Sequence, residues 1–275
     1  MIRRTDNDRF VLITQMEHAR LSGVLAEHFG NERWKPPDPL PDVIRAVAMH
    51  DAGWHLHDAA PTLNSRKIPR DVFEGPVSMM VRLWSASVER AAEESPYVQL
   101  LISLHVLGLS AYAACRPRSR RELFELNRFQ HNECERQVEL RRKLGLSIDI
   151  PLYLGLAVAR GIEAEERLRR NHCIMQLMDR LSLAMCCTDV PSSAVEGLVP
   201  AAGQDPQTLS ISRTAPTVTV VDPWPFREES LTLPVQYRAV PATPFASAAE
   251  FRRCFAAAPV QTMLLTVRRA QAGGQ

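Results

Sequence analysis

The sequence predicts an α+β protein that is mainly α-helical, with a helical bundle first and a small C-terminal β-sheet portion after it. Residues 15–29 and most of residues 79–188 place apolar side chains with the period of a buried helix face. From about residue 200 the segments TLSISR and TVTVVD alternate apolar and polar residues, as half-buried strands do. Helices grouped before strands are typical of the α+β class. We therefore expect a helical domain over residues 1–200 and a small α/β extension over residues 201–275, packed on the bundle.

The first eighty residues predict short elements joined by longer connections. FVLIT at 10–14 indicates a strand, and residues 15–29 indicate an amphipathic helix. The proline-rich WKPPDPLP leads to a helix over about 42–54, which Asp42 can cap. Residues 58–78 contain three prolines and a glycine, and they predict a long irregular loop of the kind that is often functional.

The middle of the chain predicts helices and its end predicts strands. The segment 96–114 is apolar on nearly all sides, which predicts a central helix. The predicted helical segments are 81–94, 96–114, 120–145, 151–170 (one or two short helices) and 171–187. The predicted strands are 208–213, 217–222, 230–240 and 260–270, with a short helix at 248–258.

The composition is that of an ordinary globular protein. Of 275 residues, 45% are hydrophobic and 23% are charged, and the formal net charge is +2, so no global charge points to nucleic acid or to a membrane surface. No apolar run reaches the roughly 20 residues that a membrane span needs. The six cysteines form no CxxC pair, which indicates reduced thiols and a cytoplasmic location.

Two groups of polar residues lie on the apolar faces of the first predicted helices. His18 shares a face with Leu21 and Leu25, which follow it at helical spacing. His50 and Asp51 end the apolar segment VIRAVAM and open the stretch HDAGWHLHD, which has three histidines and two aspartates in nine residues. Because histidine and aspartate are poor strand formers and only average helix formers, this clustering indicates a role beyond secondary structure.

Two more polar residues lie inside strongly apolar helices. His105 falls in LLISLHVLGL, and Asp179 falls in IMQLMDRLSLAM. A buried carboxylate is costly unless it is paired, protonated or bound to a metal. Each residue alone is most simply a satisfied core group. Several of them on separate apolar helices favour a metal site, and imidazole with carboxylate suits Zn, Mn, Fe, Ni or Co.

The order of these residues, with five short motifs, resembles the HD-domain superfamily of metal-dependent phosphohydrolases and, within it, a bacterial family of unknown function. The resemblance implies a helical bundle that holds one or two divalent transition-metal ions through His18, His50, Asp51 and Asp179. The motifs are Q-x-E-H-A at 15–19, H-D-x-G-W at 50–54, S-L-H at 103–105, M-D-R-L-S-L at 178–183 and P-W-P-F at 223–226.

The candidate catalytic residues are Asp51, His105 and His55. His105 lies outside the four-ligand pattern, so it is a second-metal ligand, a phosphate contact or a core histidine. His55 lies beyond the predicted helix. It is a proton donor, a phosphate contact or a solvated loop residue. Glu17 is turned about 100° from His18 on a helix, which favours a surface carboxylate over a second-metal ligand.

Two further features bear on substrate binding. Trp54 could wall a substrate pocket, although an aromatic residue after a helix is more often core. Arg66, Lys67 and Arg70 could clamp phosphate, although a basic loop is more often simply solvated.

The leading functional hypothesis is metal-dependent hydrolysis of a small phosphoester or a nucleotide. No P-loop or glycine-rich nucleotide motif is present, so the phosphorylated substrate has no direct support in the sequence. The alternatives are an HD-type di-iron oxygenase and a non-catalytic module that binds a metal or a ligand. The C-terminal part either covers the site, joins copies of the chain into a homo-oligomer, or completes the core.

Overall fold

The computed structural model describes residues 1–148, 163–187, 193–198 and 205–270. The helices are α1 Gln15–His28, α2 Leu40–Met49, α3 His55–Ala59, α4 Val77–Ala91, α5 Pro96–Ala114, α6 Arg120–Lys143, α7 Glu163–Cys186 and α8 Ala248–Ala257. The strands are β1 Ile2–Asp6, β2 Arg9–Ile13, β3 Ser193–Leu198, β4 Gln207–Ala215, β5 Val218–Asp222, β6 Ser230–Pro241 and β7 Val260–Arg269. Short 3₁₀ turns lie at Ala52–Trp54 and Val72–Glu74.

The described strands form one mixed sheet in the order β1-β2-β6-β7-β5-β4-β3. β5 and β7 are parallel, and the other neighbours are antiparallel. The N-terminal hairpin β1–β2 joins the C-terminal strands, because Phe10 on β2 pairs with Val240 on β6. The predicted fold class, an HD-like helical bundle with a small C-terminal sheet, is therefore wrong. The sheet is a substantial one of seven strands that takes strands from both ends of the chain.

The sequence pattern did not predict strand β1, because IRRTD has almost no alternation of apolar and polar residues. Ile2 is fully buried. Arg4 is buried as well, and its guanidinium donates a hydrogen bond to the Pro216 carbonyl. The sheet thus includes strands from both sides of the boundary predicted at residue 200. The division into two domains stays a prediction.

The helices form the layer that carries the site. α1 packs on α2 and α7, and α5 packs on α2, α4, α6 and α7. The predicted helices at 15–29, 96–114 and 120–145 are confirmed to within two residues. Their starts are capped by hydroxyl oxygens, since Thr14, Ser95 and Ser119 each accept a hydrogen bond from a backbone N–H of the first turn.

α2 ends at Met49, earlier than predicted, and a 3₁₀ turn follows it. Gly53 in this turn does not act as a left-handed helix cap. A Cβ at this position would collide with the Leu83 carbonyl oxygen and the Ser87 nitrogen of α4. Gly53 also donates its N–H to Ser87 Oγ at 2.9 Å. Glycine is required here because the turn lies directly against α4, which fixes the chain just after His50 and Asp51.

α5 is long and apolar enough to cross a membrane, but 61% of that stretch is buried inside the protein. This is typical of the core helix of a soluble protein, as its apolar sequence predicted. The cytoplasmic location stays a prediction. Of the short helices predicted over 151–170, residues 151–162 lie outside the described residues, and residues 163–170 are the first turns of α7.

Candidate metal centre

Three buried side chains from three helical segments meet at one point. His18 lies on α1, His50 directly follows α2, and Asp179 lies on α7; each is at most 7% exposed. His18 Nε2 is 3.0 Å from Asp179 Oδ1 and 3.3 Å from His50 Nε2, and His50 Nε2 is 3.4 Å from Asp179 Oδ1. These two imidazoles and this carboxylate could hold a metal ion.

The spacing of the three atoms fits the ligands of a single ion. Ligands at about 2.0–2.2 Å from a metal lie roughly 2.8–3.6 Å apart in octahedral or tetrahedral geometry. The observed separations of 3.0 to 3.4 Å fall inside this range. The side chains therefore need little movement to bind an ion.

Hydrogen bonds on the far side of each ring turn both histidines toward the centre. His50 Nδ1 donates to the Val47 carbonyl at 2.7 Å, which leaves a lone pair on Nε2. Ser182 donates its hydroxyl to the Asp179 carbonyl, so His18 Nδ1 donates to Ser182 Oγ at 2.9 Å. Both Nε2 lone pairs then face the Asp179 carboxylate. Three converging electron pairs require a cation between them, either a proton or a metal ion, and such outer hydrogen bonds orient histidine ligands.

Asp51, the fourth predicted ligand, borders this cluster at wider spacing. Its Oδ2 is 3.7 Å from His50 Nε2 and 3.9 Å from His18 Nε2. The same oxygen accepts a hydrogen bond from Gln15 Nε2 at 2.8 Å. Asp51 is within a small side-chain shift of the centre, and its role as a ligand stays a prediction.

His105 lies on the other side of Asp179. Its Nε2 is 3.8 Å from Asp179 Oδ2, and its ring centroid is 5.1 Å from that of His50. The residue is 2% exposed, and neither ring nitrogen has a hydrogen-bond partner within the part of the chain that the structure describes. Buried polar atoms normally have partners, so this histidine does not behave as a satisfied core group.

The pKa shifts at the cluster distinguish the groups that are charged at pH 7 from those that are neutral. Burial works to raise the pKa of Asp179, but its short contacts with His18 and His50 outweigh it and hold that pKa well below its usual range. Burial also opposes protonation of His50, yet the charge of Asp51 and the hydrogen bond to Asp179 raise its pKa to about 9. Burial lowers the pKa of His105 to about 3, so this imidazole is neutral at pH 7. Burial raises the pKa of Asp51.

The second half of the stretch HDAGWHLHD has a mainly structural environment. His55 is half-buried, and its Nδ1 donates to the Ala52 carbonyl at 3.0 Å; within the described residues its ring forms no hydrogen bond with a member of the metal cluster. Trp54 is 1% exposed and belongs to the core. Asp58 is buried and accepts the backbone N–H groups of Gln15 and Met16. Asp58 therefore fixes the start of α1.

The other charged candidates are engaged elsewhere. Glu17 is 8% exposed rather than a surface group, and it pairs with Arg20 and accepts the N–H of Gln236. Arg70 donates to Thr62 Oγ1 and to two loop carbonyls, so it stabilises the loop that contains it. Arg66 is exposed, 3.6 Å from Glu74.

Sequence reasoning missed Gln15 and Ser182 as members of the site. Gln15 lies three residues before His18, and Ser182 lies three residues after Asp179, so each shares a helix face with a candidate ligand. This spacing was a usable signal. Their hydrogen bonds depend on how α1 meets α7 and the turn after α2, which the sequence pattern does not specify.

Fold and site together define an α+β protein with a buried His–His–Asp cluster that could hold a metal ion. The chain belongs to DUF3891, a family of proteins of unknown function whose sequence profile matches residues 1–242. No curated protein and no solved structure matches the chain.

Proposed function

We propose that this protein is a metal-dependent phosphohydrolase acting on a small phosphoester or a nucleotide. The observation that carries the proposal is the convergence of His18 Nε2, His50 Nε2 and Asp179 Oδ1 within 3.4 Å of one another, with both imidazole lone pairs turned inward. The order of the candidate ligands along the chain also resembles that of HD-domain phosphohydrolases. The identity of the ion (Fe, Mn, Ni, Co or Zn), the cytoplasmic location and the phosphorylated substrate belong to this proposal.

The side chains around the cluster suit hydrolysis of a phosphoester. A divalent ion held here would lower the pKa of a bound water and neutralise a phosphoryl oxygen. Asp179 stays ionised at neutral pH, because its pKa lies well below the usual range, and it supplies the negative charge that holds a cation. Neutral His105 has a free N–H and a free lone pair, so it can donate a hydrogen bond to a phosphate oxygen or accept one from water.

Metal analysis of the purified protein tests the proposal. We expect roughly one or two equivalents of a transition metal in the native protein and hydrolysis of phosphoesters that stops when the ion is chelated. Asp179→Ala should lose both properties while the chain stays helical, because only one of the converging groups is removed.

Asn171→Ala is the matched control, since Asn171 is also on α7 and fully buried but binds the Asp38 carbonyl and Tyr97 instead. It should keep its metal. Absence of metal from the native protein after reconstitution would contradict the site. Bound metal without turnover of monoesters, diesters or nucleotides would contradict the hydrolase and favour a regulatory metal-binding module.

One observation favours a second candidate function, an iron-dependent oxygenase. Asp179 faces His18 and His50 through Oδ1 and His105 through Oδ2. A carboxylate that faces two histidines through one oxygen and a third histidine through the other could serve as a ligand of two ions. Two equivalents of iron with an optical signature in the native protein, without phosphoester turnover, would favour this alternative over the hydrolase.

A further inference from the structure

Gln15, the first residue of α1, reaches the metal cluster through Asp51. Its Nε2 donates to Asp51 Oδ2 at 2.8 Å, which is the Asp51 oxygen nearest to the two histidines. A carboxylate only accepts hydrogen bonds, so the amide nitrogen must face Asp51. Gln15 is 2% exposed, so this is a hydrogen bond away from solvent.

The other end of the same amide is open. Gln15 Oε1 is buried and has no hydrogen-bond partner in the described ranges. An unsatisfied buried acceptor is costly, so the fold gains little from this end of the amide. What sets Gln15 apart is its bonded end, which contacts a candidate metal ligand.

The backbone of Gln15 is held from the opposite side. Asp58 Oδ2 accepts the Gln15 N–H at 2.8 Å and the Met16 N–H at 3.2 Å. The two aspartates of HDAGWHLHD therefore both bind Gln15. Asp51 accepts a hydrogen bond from its side chain, and Asp58 accepts one from its backbone. The side chain of Gln15 starts from an anchored backbone, so its amide can orient Asp51 reproducibly.

We propose that Gln15 is a positioning residue of the metal centre, which holds the Asp51 carboxylate turned toward His18 and His50 so that it can join the ligand set. This inference rests on the metal-binding part of the proposed function. Hydrogen bonds to metal ligands typically change metal affinity by about 10–100-fold when they are removed.

The test is the affinity of the full-length protein for Co²⁺, measured by competition with a chromophoric chelator. Gln15→Met keeps the length of the side chain but cannot donate, so we expect Co²⁺ to bind about 10–100-fold more weakly. Gln15→Glu at about pH 8 should weaken binding at least as much, because an ionised carboxylate then faces Asp51 without a proton to share. The visible spectrum of bound Co²⁺ should change in both variants, since the ligand set changes.

Gln137→Met is the matched control. Gln137 is fully buried, donates through Nε2 to Ser103 Oγ, and has an unpaired Oε1 among the described residues, but it contacts no member of the cluster. It should bind Co²⁺ as tightly as the native chain. Thermal unfolding of the metal-free proteins reports any general loss of stability separately.

The outcomes separate this inference from the proposed function. Unchanged Co²⁺ affinity and spectrum in folded Gln15→Met would overturn the positioning role, even if the native protein hydrolyses phosphoesters. Weakened binding in that variant supports the role, even if no phosphoester is turned over. Failure of the native protein to bind Co²⁺ at all would overturn both.

Discussion

Two buried clusters of charged side chains in this protein differ in one respect, which is whether they are complete. Arg141 on α6 donates from Nη1 to both carboxylate oxygens of Glu165 on α7, at 2.8 and 2.9 Å, and both residues are at most 6% exposed. One cation meets one carboxylate there. At the metal cluster, two imidazole lone pairs and a carboxylate oxygen meet, and no guanidinium or ammonium group of the described residues forms an ion pair with that carboxylate.

The difference shows which kind of buried charge indicates a site. Arg141 and Glu165 balance each other's charge, so this cluster is complete in charge and needs no ligand, although Arg141 Nε has no hydrogen-bond partner among the described residues. A set of acceptors that converges on one point is incomplete without a proton or a metal ion. The sequence pattern does not separate the two cases, because Glu165 and Asp179 are both acidic residues on the same helix.

The largest expected effect comes from breaking the complete cluster. Glu165→Gln should lower the free energy of unfolding by about 3–5 kcal/mol, because it leaves the Arg141 guanidinium buried without its counter-charge. The same variant should keep its full complement of metal. Urea unfolding and elemental analysis of one preparation check both statements. Loss of metal from a folded Glu165→Gln protein would show that the two clusters are not independent.

A smaller effect of opposite sign is expected at the edge of the incomplete cluster. His105→Leu removes two buried ring nitrogens that have no partner in the described chain and replaces them with an apolar group of similar size. Removing an unsatisfied buried polar group should raise the stability of the metal-free protein by about 1–3 kcal/mol. Phosphoester hydrolysis should fall, because the neutral imidazole beside Asp179 is gone.

Thermal unfolding of chelator-treated protein measures the gain in stability, and a hydrolysis assay measures the loss of activity. A less stable His105→Leu with native activity would make His105 a core residue. A variant that kept activity but bound half as much metal would instead make it a ligand of a second ion.

Local patterns in the sequence predicted the helices well and the sheet poorly. α5 has its predicted limits because Ser95 caps it and apolar residues continue on nearly all its sides up to Ala114. The fold class was wrong because strand pairing is not local. β1 has little apolar alternation, and it is a strand because β2 pairs with it and also with β6, more than 200 residues later in the chain.

The site was predictable to the extent that it rests on single helices. His18, His50 and Asp179 each lie on an apolar helix face, and the structure brings all three together. His55 was predicted as catalytic from its closeness in sequence to His50, but its ring is held by the Ala52 carbonyl. A 3₁₀ turn follows Asp51 and redirects the chain, and the catalytic role of His55 stays a prediction.

The last expected effect is a pH dependence of stability that the incomplete cluster should show. The pKa of His50 is about 9 in the folded, metal-free protein, against an ordinary value of 6.5. A raised folded-state pKa adds stability below the unfolded value, and this stability is lost as the pH rises through the folded value. The free energy of unfolding of metal-free protein should therefore fall between about pH 6.5 and 9, by at most about 1.4 kcal/mol per pH unit for one proton.

Bound metal should flatten the profile, since the ion takes the place of the proton on His50. Urea unfolding at several pH values, with and without chelator, measures both profiles, and His50→Phe should remove the slope. His131→Ala should keep it, because that histidine is on the surface, 71% exposed. A flat profile in metal-free native protein would mean that no proton is held between the two imidazoles and Asp179, and the account of the cluster as incomplete would then be wrong.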